Sequence, residues 1–154
     1  MIAAVRRHAE QHGITHAEFS HEDFRSLSLE EGSMDAAISM YALHHIPDVE
    51  KAIVFETLYH AMRPGSLFYL EDDTFNFSPE EYKRRVPEIY AEWKSQFGDE
   101  AWQYLKDKLA GDDFEYTPYW HNLKRIISDS GYTIIEHRAH GLDGISLLLK
   151  RPSR

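Results

Sequence analysis

Apolar positions recur at helical spacing in some stretches of this chain and run together in others. Ile2, Val5 and Ala9, ahead of Gly13, predict a helix over 2–12. Val49, Ala52, Phe55, Tyr59 and Met62 form one stripe behind Asp48, predicting a capped helix ended by Pro64-Gly65. Trp120, Leu123, Ile126 and Ile127 predict a further helix, with Thr117-Pro118 at its start and Gly131 at its stop. Between them lie short strand patterns at 17–20, 34–39, 67–70, 132–138 and 145–149. Leu67-Phe-Tyr-Leu70 is apolar at every position, as a parallel strand covered on both faces would be. The alternation predicts a layered α/β fold with a mostly parallel sheet and helices on both faces. The short link through Gly141 and Gly144 predicts a closing antiparallel hairpin.

The stretch 74–117 differs in texture and is expected to be a helical insertion within a single domain spanning 1–154. Ser78-Pro79-Glu80-Glu81 is a capping box with proline at its first helical position. Tyr82, Val86, Ile89, Tyr90, Trp93 and Phe97 follow as a stripe that Pro87 is expected to kink, and Trp102, Leu105 and Leu109 make a second one. From Phe75 to Trp120 the chain holds 12 of its 20 aromatic residues and all three tryptophans. Either these rings pack helices onto the sheet, or they form a lid over a small-molecule pocket. Such a pocket would lie at the carboxyl ends of the strands, where open α/β sheets bind ligands.

Composition narrows the classes. A chain of 154 residues with 42% apolar and 28% charged residues is one domain's worth with a real core. No apolar run approaches bilayer length, and Met1-Ile-Ala-Ala-Val-Arg-Arg-His8 lacks the apolar stretch of a signal peptide. No membrane association is expected, and the expected location is the cytoplasm. Cysteine is absent, which excludes a disulfide scaffold, a thiolate metal site and a cysteine nucleophile. The net charge of −9 disfavours nucleic acid as a partner. Lys83-Arg84-Arg85 follows Glu80-Glu81 on a predicted helix and reads as a solvated face.

Candidate chemistry gathers where predicted strands end. Asp23, followed by Phe24, is either a carboxylate for an exocyclic amine with a ring against a base, or a loop acid before a turn. Ser39-Met-Tyr-Ala-Leu-His-His-Ile-Pro-Asp48 leaves a central strand and enters a helix, so Ser39, Met40, Tyr41, His44 and His45 are site residues by position. A histidine base needs an acid to orient it, and Asp48 is the neighbour in sequence. The alternative is that Leu43 and Ile46 anchor the loop while the histidines cap the sheet edge. His8 and His12, at i and i+4, have metal-ligand spacing but no third partner of telling spacing. Glu71-Asp72-Asp73 is either a binding cluster or a solvated strand end. No Walker loop, G-x-S-x-G or G-x-G-x-x-G occurs.

The run Asp35-Ala-Ala-Ile-Ser-Met-Tyr-Ala-Leu-His-His-Ile-Pro-Asp48, a helix, then Met62-Arg-Pro-Gly-Ser-Leu-Phe-Tyr-Leu70 resembles the class I S-adenosylmethionine-dependent methyltransferases. The first stretch resembles that family's strand-four loop, and Arg63-Pro64-Gly65 the turn before strand five. Residues 1–27 are similar to the helix after strand two and the third strand, and the terminal hairpin to strands six and seven. The resemblance implies an incomplete Rossmann-like sheet, S-adenosylmethionine as cofactor and a small-molecule methyl acceptor. It implies Asp23, Phe24, Ser39, Met40 and Tyr41 at the cofactor, with Tyr41, His44 and His45 orienting the acceptor or taking its proton.

The resemblance also implies a gap. The family's glycine-rich loop and the acid that holds the ribose have no counterpart in this sequence, so a truncated domain with weak or absent cofactor binding is expected. The family's strand order, 3-2-1-4-5-7-6, would then bring strand three beside strand four or leave an open edge for a second chain, as in a homodimer. The competing readings are a non-catalytic relic that acts by association through that edge, and a metal-dependent hydrolase using His44, His45 and the acids at 71–73.

Overall fold

The computed structural model describes residues 2–100 and 116–153. Four strands form one sheet in the order β1-β2-β4-β3. β1 (Met34–Met40) runs parallel to β2 (Met62–Asp73); β2 and β3 (Thr133–His140) both run antiparallel to β4 (Gly144–Lys150). This is the 4-5-7-6 half of the order the resemblance implies, with the expected terminal hairpin. Nothing pairs with the outer side of β1 among the described residues, so strand three has not moved in beside strand four. The predicted strand at 17–20 is coil. A strand is held by ladder bonds, and this segment has no neighbouring strand; Arg6 instead donates to the Phe19 carbonyl.

The main core lies on one face of the sheet, under helices α2 (Asp48–Ala61) and α4 (Trp120–Asp129). Phe68 and Leu70 of β2 and Ile145, Leu147 and Leu149 of β4 bury against Val54, Phe55, Leu123, Ile126 and Ile127. Leu67 and Tyr69 alternate onto the opposite face, where Ile38 is 73% exposed and Leu67 is also exposed. The apolar run 67–70 is therefore not covered on both faces by the described residues. Its period is two, as for a strand with one packed face.

Three boundaries move for physical reasons. α2 stops at Ala61, and Met62, expected on the helical stripe, opens β2 at the bottom of the core. Pro64-Gly65 then lies in an irregular bulge, where Met62 pairs with Met34 and Leu67 with Ala36; Gly65 supplies a φ of +89°. Val49, also expected on the stripe, is 74% exposed, and the buried face runs through Lys51, Val54, Phe55 and Ala61. α4 begins at Trp120 rather than Thr117, because Tyr119 is extended and bridged to Phe75, whose N–H donates to the Pro118 carbonyl.

α3 (Tyr82–Phe97) follows the 3-10 turn Pro79–Glu81 and runs through Pro87. The capping box closes as predicted, with the Ser78 N–H donating to Glu81 Oε2 at 3.1 Å. A second cluster of Phe75, Phe77 and Ile89, with Tyr82, Tyr90, Trp93 and Tyr119, seats α3 beyond the carboxyl end of β2. Trp102, Leu105 and Leu109 lie outside the described residues.

Candidate functional site

The strand ends carry the chemistry. β1 finishes at Met40, and Tyr41 adopts φ +49°, a left-handed conformation that L side chains rarely take. Its N–H donates to the Glu71 carbonyl at 2.8 Å, which fixes the chain as it leaves the sheet for the 3-10 turn Leu43–His45. On β2, the core-facing positions Phe68 and Leu70 are followed by Asp72, so the pleat carries a carboxylate into the interior.

Asp72 is satisfied there. Its Oδ2 accepts from the Leu43 N–H at 2.7 Å, and its Oδ1 accepts from His44 Nδ1 at 2.5 Å and from the Asp73 N–H at 2.9 Å. Both His44 and Asp72 are buried. An ionised carboxylate only accepts, so Nδ1 carries the hydrogen and the ring's lone pair sits on Nε2. The sequence neighbour Asp48 does not perform this role. It opens α2 and pairs with Lys51 one turn on, at 3.1 Å, whereas Asp72 reaches His44 from the adjoining strand. His45 is exposed, with its ring centroid 3.9 Å from that of His44.

Lys51 holds the far side of this loop. Its ammonium is fully buried and donates to the Ile46 carbonyl at 2.5 Å, the Tyr116 carbonyl at 2.7 Å and Asp48 Oδ1 at 3.1 Å. Burial pushes its pKa down despite the Asp48 charge. The Tyr116 N–H donates to the His44 carbonyl at 2.5 Å, so the same segment touches the histidine's own peptide.

On the opposite sheet face, Glu71 accepts from the Tyr41 hydroxyl at 2.8 Å and the Tyr69 hydroxyl at 2.6 Å. These two bonds, Tyr69's first, hold the Glu71 carboxyl below the usual range. The bond to Glu71 pushes the Tyr41 phenol up to about 12. Tyr41 is therefore a neutral hydroxyl at ordinary pH.

A cavity of about 1000 Å³ opens over these strand ends. Tyr41, His44, His45 and Asp72 form one side, α3 faces them with Glu92, Trp93 and Phe97, and the β3–β4 turn closes the end. The structure thus brings Tyr41, His44 and His45 to one space. Asp72 and Asp73 of the predicted acidic cluster line it too, whereas Glu71, Asp23, Phe24, Ser39 and Met40 lie outside that lining. Met40 is 54% exposed and sits beside Glu71 across the ladder, while Ser39 is half-buried beside Leu70. Phe24 packs against the main core. Asp23 caps the 3-10 turn Phe24–Ser26, and the Arg25 guanidinium binds both its oxygens while also reaching Glu50 at 3.1 Å. That side-chain pairing holds the Asp23 carboxyl down at about 2. No hydrogen bond joins Asp23 to Met40 or Glu71 among the described residues.

Among the described residues no three His, Asp or Glu side chains are placed to hold one metal ion. The exposed His8 and His12 rings lie 4.2 Å apart, tilted at 39°, where α1 (Ile2–Gln11) ends. No described helix is long and apolar enough to cross a membrane. Sequence reasoning missed the Asp72–His44 pair, although a signal existed. Counting the period-two pattern onward from Phe68 and Leu70 puts Asp72 indoors, and a buried acid requires a partner.

Comparison with known proteins agrees with this architecture. Residues 1–65 match the family model described as a methyltransferase domain. An arsenite methyltransferase of Aquipseudomonas alcaligenes is 27% identical over 129 residues, covering 82% of this chain and 31% of that protein. The chain thus spans under a third of the length of that curated relative. Among solved structures, a SAM-dependent methyltransferase from Methanosarcina mazei matches with TM-score 0.66 at 16% identity, covering 99% of this chain and 78% of that one. A putative sarcosine dimethylglycine methyltransferase from Galdieria sulphuraria matches with TM-score 0.69 at 11% identity, over 99% and 66% of the two chains. The cyclase SpnF matches with TM-score 0.67 at 13% identity, over 99% and 63%, so the fold by itself does not name a reaction.

Proposed function

We propose that this chain, a class I methyltransferase domain by its sequence match and its fold, forms the acceptor-side part of an S-adenosylmethionine-dependent enzyme that methylates a small molecule. The observation that carries this reading is the buried Asp72–His44 pair beside a cavity at the carboxyl end of β1. Asp72 fixes the tautomer and the ring, and His44 Nε2 takes the acceptor's proton. Tyr41, neutral and with its hydrogen held by Glu71, orients the acceptor by accepting at its hydroxyl oxygen, and His45 shields the His44 ring. The aromatic side chains of α3 exclude water from the reacting atoms.

The residues present fit one wall of the cofactor's site. The exposed Met40 side chain and the left-handed Tyr41 give an apolar ledge and a turned backbone, with Ser39 preceding them on β1 and Phe24 packed against the main core. Asp23 meets a nucleoside amine only in competition with Arg25. When bound, the cofactor supplies a methyl group on a sulfonium, so positioning is most of the catalysis. The sequence has no glycine-rich loop or ribose-binding acid of the family's kind. Losing several such hydrogen bonds, at roughly 1–3 kcal/mol each, weakens affinity by orders of magnitude. The remaining wall is then supplied by a longer polypeptide.

Titration with S-adenosylhomocysteine, followed by backbone NMR, tests both halves of this reading. Millimolar binding with shifts confined to Phe24 and Ser39–Tyr41 is expected. Micromolar binding would show that the chain is not impaired alone, and no shift at any concentration would end the cofactor assignment. A second reading, a non-catalytic domain that associates through β1, is favoured by an outer edge that no described strand pairs and by the exposed Ile38 beside it. Light scattering separates the two: a monomer at high micromolar concentration counts against edge pairing.

A further inference from the structure

The cavity's lining carries a chemical preference that the methyl-transfer reading does not specify. Its described wall holds no lysine or arginine, and its carboxylates include Glu92 and Glu100 from α3 and the turn after it. Asp72, within the same wall, is already engaged by His44. Glu92 is the distinctive one. Its Oε1 sits 2.7 Å from where a Cβ on residue 141 would lie, and residue 141 is a glycine with φ +63°. The glycine leaves room there, and the Glu92 carboxylate lies against the β3–β4 turn. No ion pair of Glu92 occurs among the described residues, unlike Glu81 and Glu88 on the same stretch, which bind Arg84 and Arg85.

Aromatic faces stand beside that charge. Trp93 and Phe97 are one helical turn apart, with ring centroids 5.6 Å apart at 61°, and Phe97 is 63% exposed. Tyr41 faces them from the strand side of the cavity. Ring faces attract cations through their quadrupoles, and a carboxylate at the ring margin strengthens that attraction; an anion meets repulsion from both.

We propose that this cavity receives a small organic cation, an alkyl- or arylammonium, as the methyl acceptor; the acceptor role rests on the reading above, but the binding does not. Glu92 neutralises the ammonium, and Trp93, Phe97 and Tyr41 enclose its hydrocarbon part. Before an ammonium nitrogen can react it sheds one proton, which passes to His44 Nε2 and leaves an imidazolium beside Asp72. With S-adenosylmethionine held beside it, the freed nitrogen lone pair would form the N–C bond as the S–C bonding pair stayed on sulfur, and the positive charge would pass from the sulfonium to the methylated nitrogen.

The test uses the full chain without cofactor and three probes of one shape: 2-phenylethylammonium, 2-phenylethanol and 3-phenylpropanoate. Titrations followed by NMR at low salt should show the cation binding at least tenfold more tightly than the alcohol, with the anion weakest. Raising the salt should reduce the cation's advantage. Glu92→Gln should remove most of that preference, and Phe97→Ala, at an exposed position, should weaken the cation several-fold with the fold intact by circular dichroism. Equal binding of the three probes, tighter binding of the anion, or an unchanged preference in Glu92→Gln overturns the proposal. Its failure is distinct from failure of the cofactor reading, which is judged by the response of Phe24 and Ser39–Tyr41 to S-adenosylhomocysteine.

Discussion

Replacing Asp72 by asparagine probes the centre of the site with almost no change in shape. The carboxylate accepts three hydrogen bonds inside the protein, from His44, Leu43 and Asp73. An asparagine oxygen placed as Oδ1 keeps His44 and Asp73 but turns its NH2 towards the Leu43 N–H, donor against donor. Placed as Oδ2, it keeps Leu43 and strands the Asp73 N–H, and the imidazole must change tautomer to accept from the amide. Either way one buried donor is left unmade, at about 1–3 kcal/mol, and charge-assisted bonds become ordinary ones. The expected loss is about 3 kcal/mol. With a urea dependence of roughly 2 kcal/mol per molar, the midpoint should fall by about 1.5 M at pH 7. Long-range nitrogen NMR of the imidazoles gives a second readout: the Nδ1–H form of His44 persists in the first placement and gives way in the second. A variant within about 0.5 kcal/mol of the parent, with the His44 tautomer unchanged, would refute the pairing and the base assigned to it.

Other consequences follow from the same geometry. Lys51→Met should cost about 2–4 kcal/mol, because the Ile46 and Tyr116 carbonyls lose their donor. The folded pKa of Lys51 is depressed, so the folded state holds fewer protons than the unfolded one just below the ordinary lysine range. The parent should therefore gain stability as pH rises through that window, and urea melts of Lys51→Met should lack that part of the slope. Glu71→Gln should return the Tyr41 phenol from about 12 towards its ordinary 10, seen by ultraviolet titration of tyrosinate. The Glu71 bond helps the parent fully below pH 10 and is lost as pH rises through about 12. Gly131→Ala should lower the melting temperature by about 5 °C, since φ there is +91° and the new Cβ would lie 3.0 Å from the Tyr59 ring.

The frame of this fold was legible wherever local signals agreed with packing. The hairpin at the end, the strand before Tyr41 and the capping box at Ser78 are decided by residues within one turn or one strand of each other. Errors came where distant partners decide. Val49 and Lys51 exchanged their expected places because Ile46, Asp48 and Tyr116 together satisfy a buried ammonium, and the last of these is remote in sequence. Pro118 has the pattern of a first helical residue, but the bridge between Phe75 and the extended Tyr119 delays the helix to Trp120. The pattern at 17–20 has strand composition and no neighbour to bond. At the site, position along the strand picked out Tyr41, His44 and His45, whereas the acid that orients His44 follows from the sheet's register and not from spacing in sequence.

The chain leaves the sheet at Phe75 and comes back at Tyr119, and these two residues are joined side by side by a parallel bridge, with the Phe75 N–H on Pro118 and the Trp120 N–H on Phe75. Departure and return are thus buckled at one doorway, and closing a loop whose ends already meet grows dearer only slowly with its length. Apart from Asn76, which bonds the β3–β4 turn, and Tyr116, which holds Lys51 and the His44 carbonyl, the stretch between the buckle's two halves is open to changes of length and composition while the strands beneath keep their alignment. Evolution, or an engineer, can change what enters the cavity without rebuilding the floor it stands on.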